Sequence, residues 1–125
     1  MVDVHAAVAS YWAAADARDW GRFADLLAPD VLYEMPQSRE RVQGRAAYLR
    51  FNVEGFPGDW RITVERIVAE GRHAASRIRL SEPAGVGIGI TFFELDDAGR
   101  IARITDYWPE PYDPPRDRAH LVERF

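Results

Sequence analysis

Few residues in this sequence have the type and setting that chemistry needs, and Asp106, between Thr105 and Tyr107 in a strand-like segment, is foremost. A carboxylate on the concave face of a sheet loses hydration, which raises its pKa and poises it for acid–base work. Paired with an arginine or a tyrosine hydroxyl, it would instead satisfy a buried network. Tyr11, Tyr33, Arg77 and Arg79 are the candidate neighbours. Tyr11 lies among alanines, so its hydroxyl either enters a pocket or reaches the edge of the core. Tyr33 shares a strand face with Val31 and Met35; Glu34 falls on the other face, as a surface or paired group. Arg77 and Arg79 alternate with Ile78 and Leu80, which places them on a solvent or dimer face.

Other chemistries are excluded by residue type. The histidines His5, His73 and His120 are far apart and have no ligand spacing, so no metal site is expected. Ser10, Ser38, Ser76 and Ser81 lack the context of a nucleophile elbow. Cysteine is absent, and all sixteen basic residues are arginine, which removes thiol, Schiff-base and lysine-base mechanisms together. Gly85-Val-Gly-Ile-Gly superficially matches a dinucleotide loop, but a strand rather than a helix follows it, so no cofactor is expected.

The elements that must position these groups follow from the hydrophobic period. Apolar positions at spacings of three and four from Val4, with Asp3 as cap, predict a helix to Arg18. Asp19 caps a second, short helix bearing Trp20, Phe23, Leu26 and Leu27, stopped by Ala28-Pro29-Asp30. Val31–Met35 reads as a strand ended by Pro36, and Gln37–Gln43 as a loop. A third helix starts at Gly44 with Ala47, Tyr48, Phe51 and Asn52 on one face, and ends at Gly55 and Phe56-Pro57-Gly58-Asp59. The period then changes to two, predicting strands over Trp60–Ala69, His73–Leu80, Val86–Leu95 and Arg100–Trp108. Asp96-Asp97-Ala98-Gly99 turns the last pair into a hairpin. Prolines hold 109–115 extended, and 116–125 forms a short helix over the body, lidding the mouth or meeting a partner. The fold class is α+β: one domain over 1–125, core 4–108 and tail 109–125, with a curved antiparallel sheet wrapped around three helices into a cone.

Setting Leu95 opposite Arg100 pairs Phe93 with Ala102, Thr91 with Ile104, Gly89 with Asp106 and Gly87 with Trp108, all on one side. The glycines are either a bend or a clearing in front of Asp106 and Trp108. On the second reading Tyr33, Met35, Phe51, Asn52, Gly89, Thr91, Phe93, Ile104 and Trp108 line a pocket for a small apolar ligand. The opposite side carries Ile88, Ile90, Phe92 and Tyr107, too apolar to leave wet, so a homodimer through this face is expected.

The 125 residues are 47% hydrophobic and 29% charged with net charge −4, a globular composition without a basic patch. Nucleic acid and membrane are thus not expected partners. No run of about 18 apolar residues and no charged leader is found, and a cytoplasmic location is the default.

The residues Tyr11-Trp-Ala-Ala-Ala-Asp-Ala-Arg-Asp19, Asp30-Val-Leu-Tyr-Glu-Met-Pro36, Gly44, Phe92-Phe-Glu-Leu-Asp-Asp-Ala-Gly-Arg-Ile101 and Asp106-Tyr-Trp108 carry a resemblance. In order and spacing, residues 4–108 resemble the nuclear transport factor 2-like superfamily, SnoaL-like proteins above all. In ketosteroid isomerases of that superfamily a tyrosine on the first helix donates to the developing oxyanion, which Tyr11 matches. Their general-base aspartate precedes the proline, where this chain has Met35, and their second oxyanion donor aligns with Thr91. The resemblance therefore implies a reaction other than that isomerisation. Polyketide cyclases and limonene epoxide hydrolase-like enzymes place an aspartate on the last strand, matched by Asp106. The hydrolases add an arginine and a second aspartate on the middle strand, where this chain has Arg77 and Arg79 without a carboxylate beside them. The function expected is a small-molecule pocket, with cofactor-free isomerase- or cyclase-type acid–base chemistry on an apolar carbonyl compound. There Asp106 shuttles the proton, Tyr11 stabilises oxygen charge and Trp108 packs the substrate. The alternatives are a non-catalytic binding or dimeric scaffold protein, and an epoxide hydrolase-like enzyme.

Overall fold

Six strands and three helices make up the body of the protein in the computed structural model, which describes residues 2–125. Helix α1 (Val4–Ala17) starts where Asp3 accepts a hydrogen bond from the Ala6 N–H, and it stops at Arg18, which adopts φ 59°. Asp19 likewise caps α2 (Trp20–Asp25) by accepting from the Arg22 N–H. Leu26 ends α2 and Leu27 opens β1 (Leu27–Met35), so these two leucines leave the helix that their spacing suggested. Pro29 is tolerated inside β1 because the pairing shifts between Leu27 and Leu32.

The stretch expected as a loop contains β2 (Glu40–Gln43), antiparallel to β1. It is a largely exposed edge strand, whose polar residues show no alternation to read. Helix α3 (Arg45–Gly55) follows Gly44, and a meander of β3 (Arg61–Glu70), β4 (His73–Glu82), β5 (Gly85–Leu95) and β6 (Ile101–Tyr107) completes one sheet of order β2-β1-β6-β5-β4-β3. The sheet is mixed rather than antiparallel throughout, because β1 pairs parallel to β6.

Bulges in β3 and at the Glu94/Leu95 end of the last hairpin bend the sheet around α1, which lies on β3 and β4, and α3, which lies on β1. Val8, Phe23, Leu27, Val31, Ile78 and Ile101 fill the space between and are wholly buried. After Tyr107 the chain is extended, then forms a 3₁₀ helix (Arg116–Leu121) with no buried residue. The tail contributes no residue to the wall of the cavity described next, so it does not lid the mouth.

The hairpin register differs from the sequence expectation. Leu95 pairs with Ile101, and beyond the bulge Thr91 pairs with Asp106 and Phe93 with Ile104. Beyond the bulge the strands have slipped by two residues, which keeps Thr91, Phe93, Ile104 and Asp106 on their expected face but changes their neighbours, while at the bulge Ile101 turns inward opposite Leu95 and is wholly buried. Asp106 therefore stands opposite Thr91, not Gly89.

Candidate functional site

On the concave face the register makes rows across the sheet. Ala74, Phe93, Ile104 and Tyr33 form one, and Ser76, Thr91 and Asp106 form the next. The second row holds the buried polar residues of the described chain, at 3%, 0% and 6% exposure. Concentrating polarity in one row lets each group find a partner, and no buried side-chain polar atom among the described residues lacks one. Ser76 accepts from Trp12 Nε1 at 3.0 Å. Asp106 accepts three hydrogen bonds: at Oδ1 from Thr91 (2.7 Å), and at Oδ2 from Tyr33 (2.5 Å) and Trp108 Nε1 (3.0 Å).

Burial pushes the Asp106 carboxyl above the ordinary range, while the three donors pull it the other way. Burial also raises the phenol of Tyr33, next to Tyr48 and Asp106, and that of Tyr11, which meets Tyr48. It raises Tyr48 as well, although the bond with Tyr11 acts in the opposite sense. These three tyrosines therefore stay protonated, and act as donors rather than bases.

The hydroxyls of Tyr11 and Tyr48 make a short hydrogen bond with each other. One O–H fills that bond and leaves the second hydroxyl with a hydrogen that no group among the described residues accepts. Tyr48 stacks on Tyr33 with ring centroids 4.6 Å apart, so the pair lies beside the carboxylate network. Spacing had put Tyr48 on the apolar face of α3 without identifying it as a polar contributor. No local pattern shows a hydroxyl meeting another 37 residues away.

A cavity of about 370 Å³ opens in front of these groups, at the small end of the range for small-molecule sites. Of the expected site residues, Tyr11, Tyr33, Met35, Asn52, Asp106 and Trp108 line it. Thr91, Phe93 and Ile104 are buried behind the wall, and Phe51 packs on Tyr33 and Tyr48. Gly89 does not clear the cavity. A Cβ there would meet Trp108 Cη2 at 2.9 Å and Ile78 Cγ1 at 3.1 Å, so the missing side chain seats the indole. Arg77 and Arg79 point outward and pair with Glu65.

The lining also includes buried Trp60 and, exposed at the rim, Phe56, Pro57 and Glu82, which sequence reasoning had not singled out. Arg18 orders this part of the mouth. Its guanidinium stacks 3.3 Å from the Trp60 ring centroid and donates to the Gly58 and Trp60 carbonyls. Among the described residues no group of His, Asp or Glu could hold a metal ion, and no helix is long and apolar enough to cross a membrane.

Comparison with known proteins agrees with the resemblance drawn from sequence. The family model described as "SnoaL-like domain" matches residues 8–104. A structure from Kribbella flavida, named as a candidate ketosteroid isomerase, is 48% identical with a TM-score of 0.91, covering 98% of this chain and 89% of that one. An NTF-2-like protein of unknown function from Burkholderia xenovorans is 24% identical (TM-score 0.79; 98% and 94% covered). An LEH-like epoxide hydrolase from M. tuberculosis is 22% identical (TM-score 0.72; 85% and 82% covered), and these two likenesses bear on the fold alone. None of the curated proteins compared with the chain matches it.

Proposed function

This chain belongs to the SnoaL-like domain family, and on that footing we propose that its cavity takes a small, largely apolar carbonyl compound and moves a proton on it. The observation that carries this reading is the meeting, in one aromatic cavity, of a buried carboxylate and a tyrosine pair with one hydrogen to spare. Asp106 takes a proton from the carbon next to the carbonyl, and the electron pair moves onto the carbonyl oxygen. The spare hydrogen of the Tyr11–Tyr48 pair bonds that oxygen as charge develops, an interaction worth about 2.7–4 kcal/mol in good precedents. Return of the proton from Asp106 to a different carbon of a conjugated enolate completes an isomerisation; alternatively, attack of the carbanion on a second carbonyl of the same molecule closes a ring, and the proton on Asp106 goes to the alkoxide so formed. Met35 lines the cavity where the isomerases of the superfamily carry their base, so Asp106 works from the last strand instead. The isomerase name of the 48%-identical relative supports this chemistry.

A second reading has its own support: three protein donors hold Asp106, as they would a carboxylate that only anchors the wall of a carrier. One experiment separates the two. Small ketones and lactones are screened by thermal shift, and those that stabilise the protein are incubated with it in D₂O. Deuterium entering the α-carbon with wild type, and failing to enter with Asp106→Asn, supports proton transfer. Stabilisation without exchange identifies a carrier, and a flat screen removes the small-molecule reading.

We also propose a homodimer through the outer sheet face. Phe92 and Val86 are 50% and 65% exposed there, beside half-buried Ile88, Ile90 and Tyr107. A second copy related by a two-fold axis would cover this patch with itself.

A further inference from the structure

The charge of the cavity wall is one-sided. It carries two carboxylates, Asp106 and Glu82, and none of the chain's sixteen arginines belongs to it. Arg18 is near through Trp60, but its donors go to the carbonyls of Ala15, Asp16, Gly58 and Trp60. Strand alternation explains where the second carboxylate comes from. The register with β5 sets Ser76, Ile78, Leu80 and Glu82 successively along the concave face of β4, so Glu82 is the last inward position before the turn. Glu82 is exposed and makes no ion pair among the described residues, unlike Glu65, which pairs with two arginines.

An anion entering this site would meet two like charges and no cation. A neutral ring would gain apolar burial only. A cation at the rim would gain the Glu82 carboxylate in a wall that also carries the aromatic rings of Phe56 and Trp108, groups of the kind that attract alkylammonium ions.

We propose that the ligand carries a basic amine, held as its ammonium beside Glu82 at the rim while its carbonyl end reaches the Tyr11–Tyr48 pair. The inference rests on the small-molecule reading of this same cavity and adds the class of compound it admits. Asp106 and the tyrosines act at the carbonyl end, whereas Glu82 touches no reacting atom and determines specificity.

The test is a series on one aryl ketone whose far end is dimethylammonium, isopropyl or carboxylate, titrated calorimetrically at low and high salt against the full chain. The ammonium member is expected to bind about tenfold more tightly than its isopropyl isostere at low salt, less so at high salt. The carboxylate member is expected to bind weakest. Glu82→Gln, at an exposed position, should remove the ammonium advantage while changing the isopropyl affinity by less than about twofold. Equal affinity of the ammonium and isopropyl members in wild type overturns the inference and leaves the cavity reading standing, as does an advantage that survives in Glu82→Gln. If no member binds, both fall.

Discussion

The indole of Trp108 lies directly over Gly89, where a Cβ would stand 2.9 Å from ring atom Cη2. The same ring donates from Nε1 to Asp106 Oδ2. A glycine on β5 thus sets the position of the residue that holds the carboxylate on β6.

Gly89→Ala should destabilise the fold. Alanine ordinarily favours a strand over glycine by roughly 0.5–1 kcal/mol, but here its methyl must displace both Trp108 and Ile78, an overpacking cost of about 1–3 kcal/mol. Gly87→Ala is the control, since its nearest neighbour, Trp108, is 3.9 Å away. Urea unfolding of the two variants should rank Gly87→Ala at or above wild type and Gly89→Ala below it. A stabilised Gly89→Ala would mean the indole lies elsewhere.

Asp106 should make stability depend on pH with a definite sign. Its folded pKa is raised by burial, so between the unfolded and folded values the native state binds the extra proton. Its favourable contribution is therefore complete below the unfolded value near 3.9 and is lost as pH rises through the folded one. In Asp106→Asn that slope disappears, so the stability difference between variant and wild type should change in the variant's favour as pH climbs through this window, read as Tm at a series of pH values. Parallel curves for the two proteins would refute the raised pKa.

Removing either hydroxyl of the tyrosine pair should affect turnover more than folding. Tyr11→Phe and Tyr48→Phe each lose one hydrogen bond, worth roughly 0.5–1.5 kcal/mol of stability. The variant that lacks the hydroxyl whose hydrogen faces the ligand also loses the donor to the oxyanion, and its kcat on a ketone that passes the deuterium test should fall about 10²–10³-fold, whereas the other variant keeps that O–H, loses only the neighbour that positions it, and should fall less. Steady-state kinetics and thermal melts on the same preparations separate the two effects. A spectrophotometric titration adds a check: of the five tyrosines, Tyr11, Tyr33 and Tyr48 should still be protonated at pH 10.

Phe92→Asp should break the proposed dimer and spare the monomer. Phe92 is half exposed and stands T-shaped to Tyr107, with ring centroids 6.1 Å apart, so an aspartate there meets water in the single chain. In a two-fold interface it places two buried charges together. Sedimentation should show wild type at twice the mass of the variant; equal masses would dispose of the interface.

Much of this protein was determined by its sequence alone, because the deciding forces are local. The spacing of Val4, Val8, Tyr11, Trp12 and Ala15 specified α1, and Asp3 and Asp19 marked the starts of the first two helices as caps. Alternation after Trp60 specified β3 to β6 and grouped Asp106 with Thr91 and Phe93 on one face, and alternation within Val31–Met35 grouped Tyr33 with Met35. The face patterns left β2 unseen, since an exposed edge strand has no buried side to reveal it, and they could not say that β1 runs parallel to β6.

Only the tertiary structure decided who meets whom. A period of two is unchanged by a slip of two: the turn sets Leu95 one residue further on, opposite Ile101, and the bulge at Glu94/Leu95 adds another, which together moved Thr91 opposite Asp106 and turned Gly89 from a supposed opening into the seat of Trp108. The contact of Tyr11 with Tyr48 and the place of Glu82 in the same wall as Asp106 depend on how far the sheet curves around the helices. Curvature is the sum of bulges and packing across the whole chain, and no stretch of neighbouring residues encodes it.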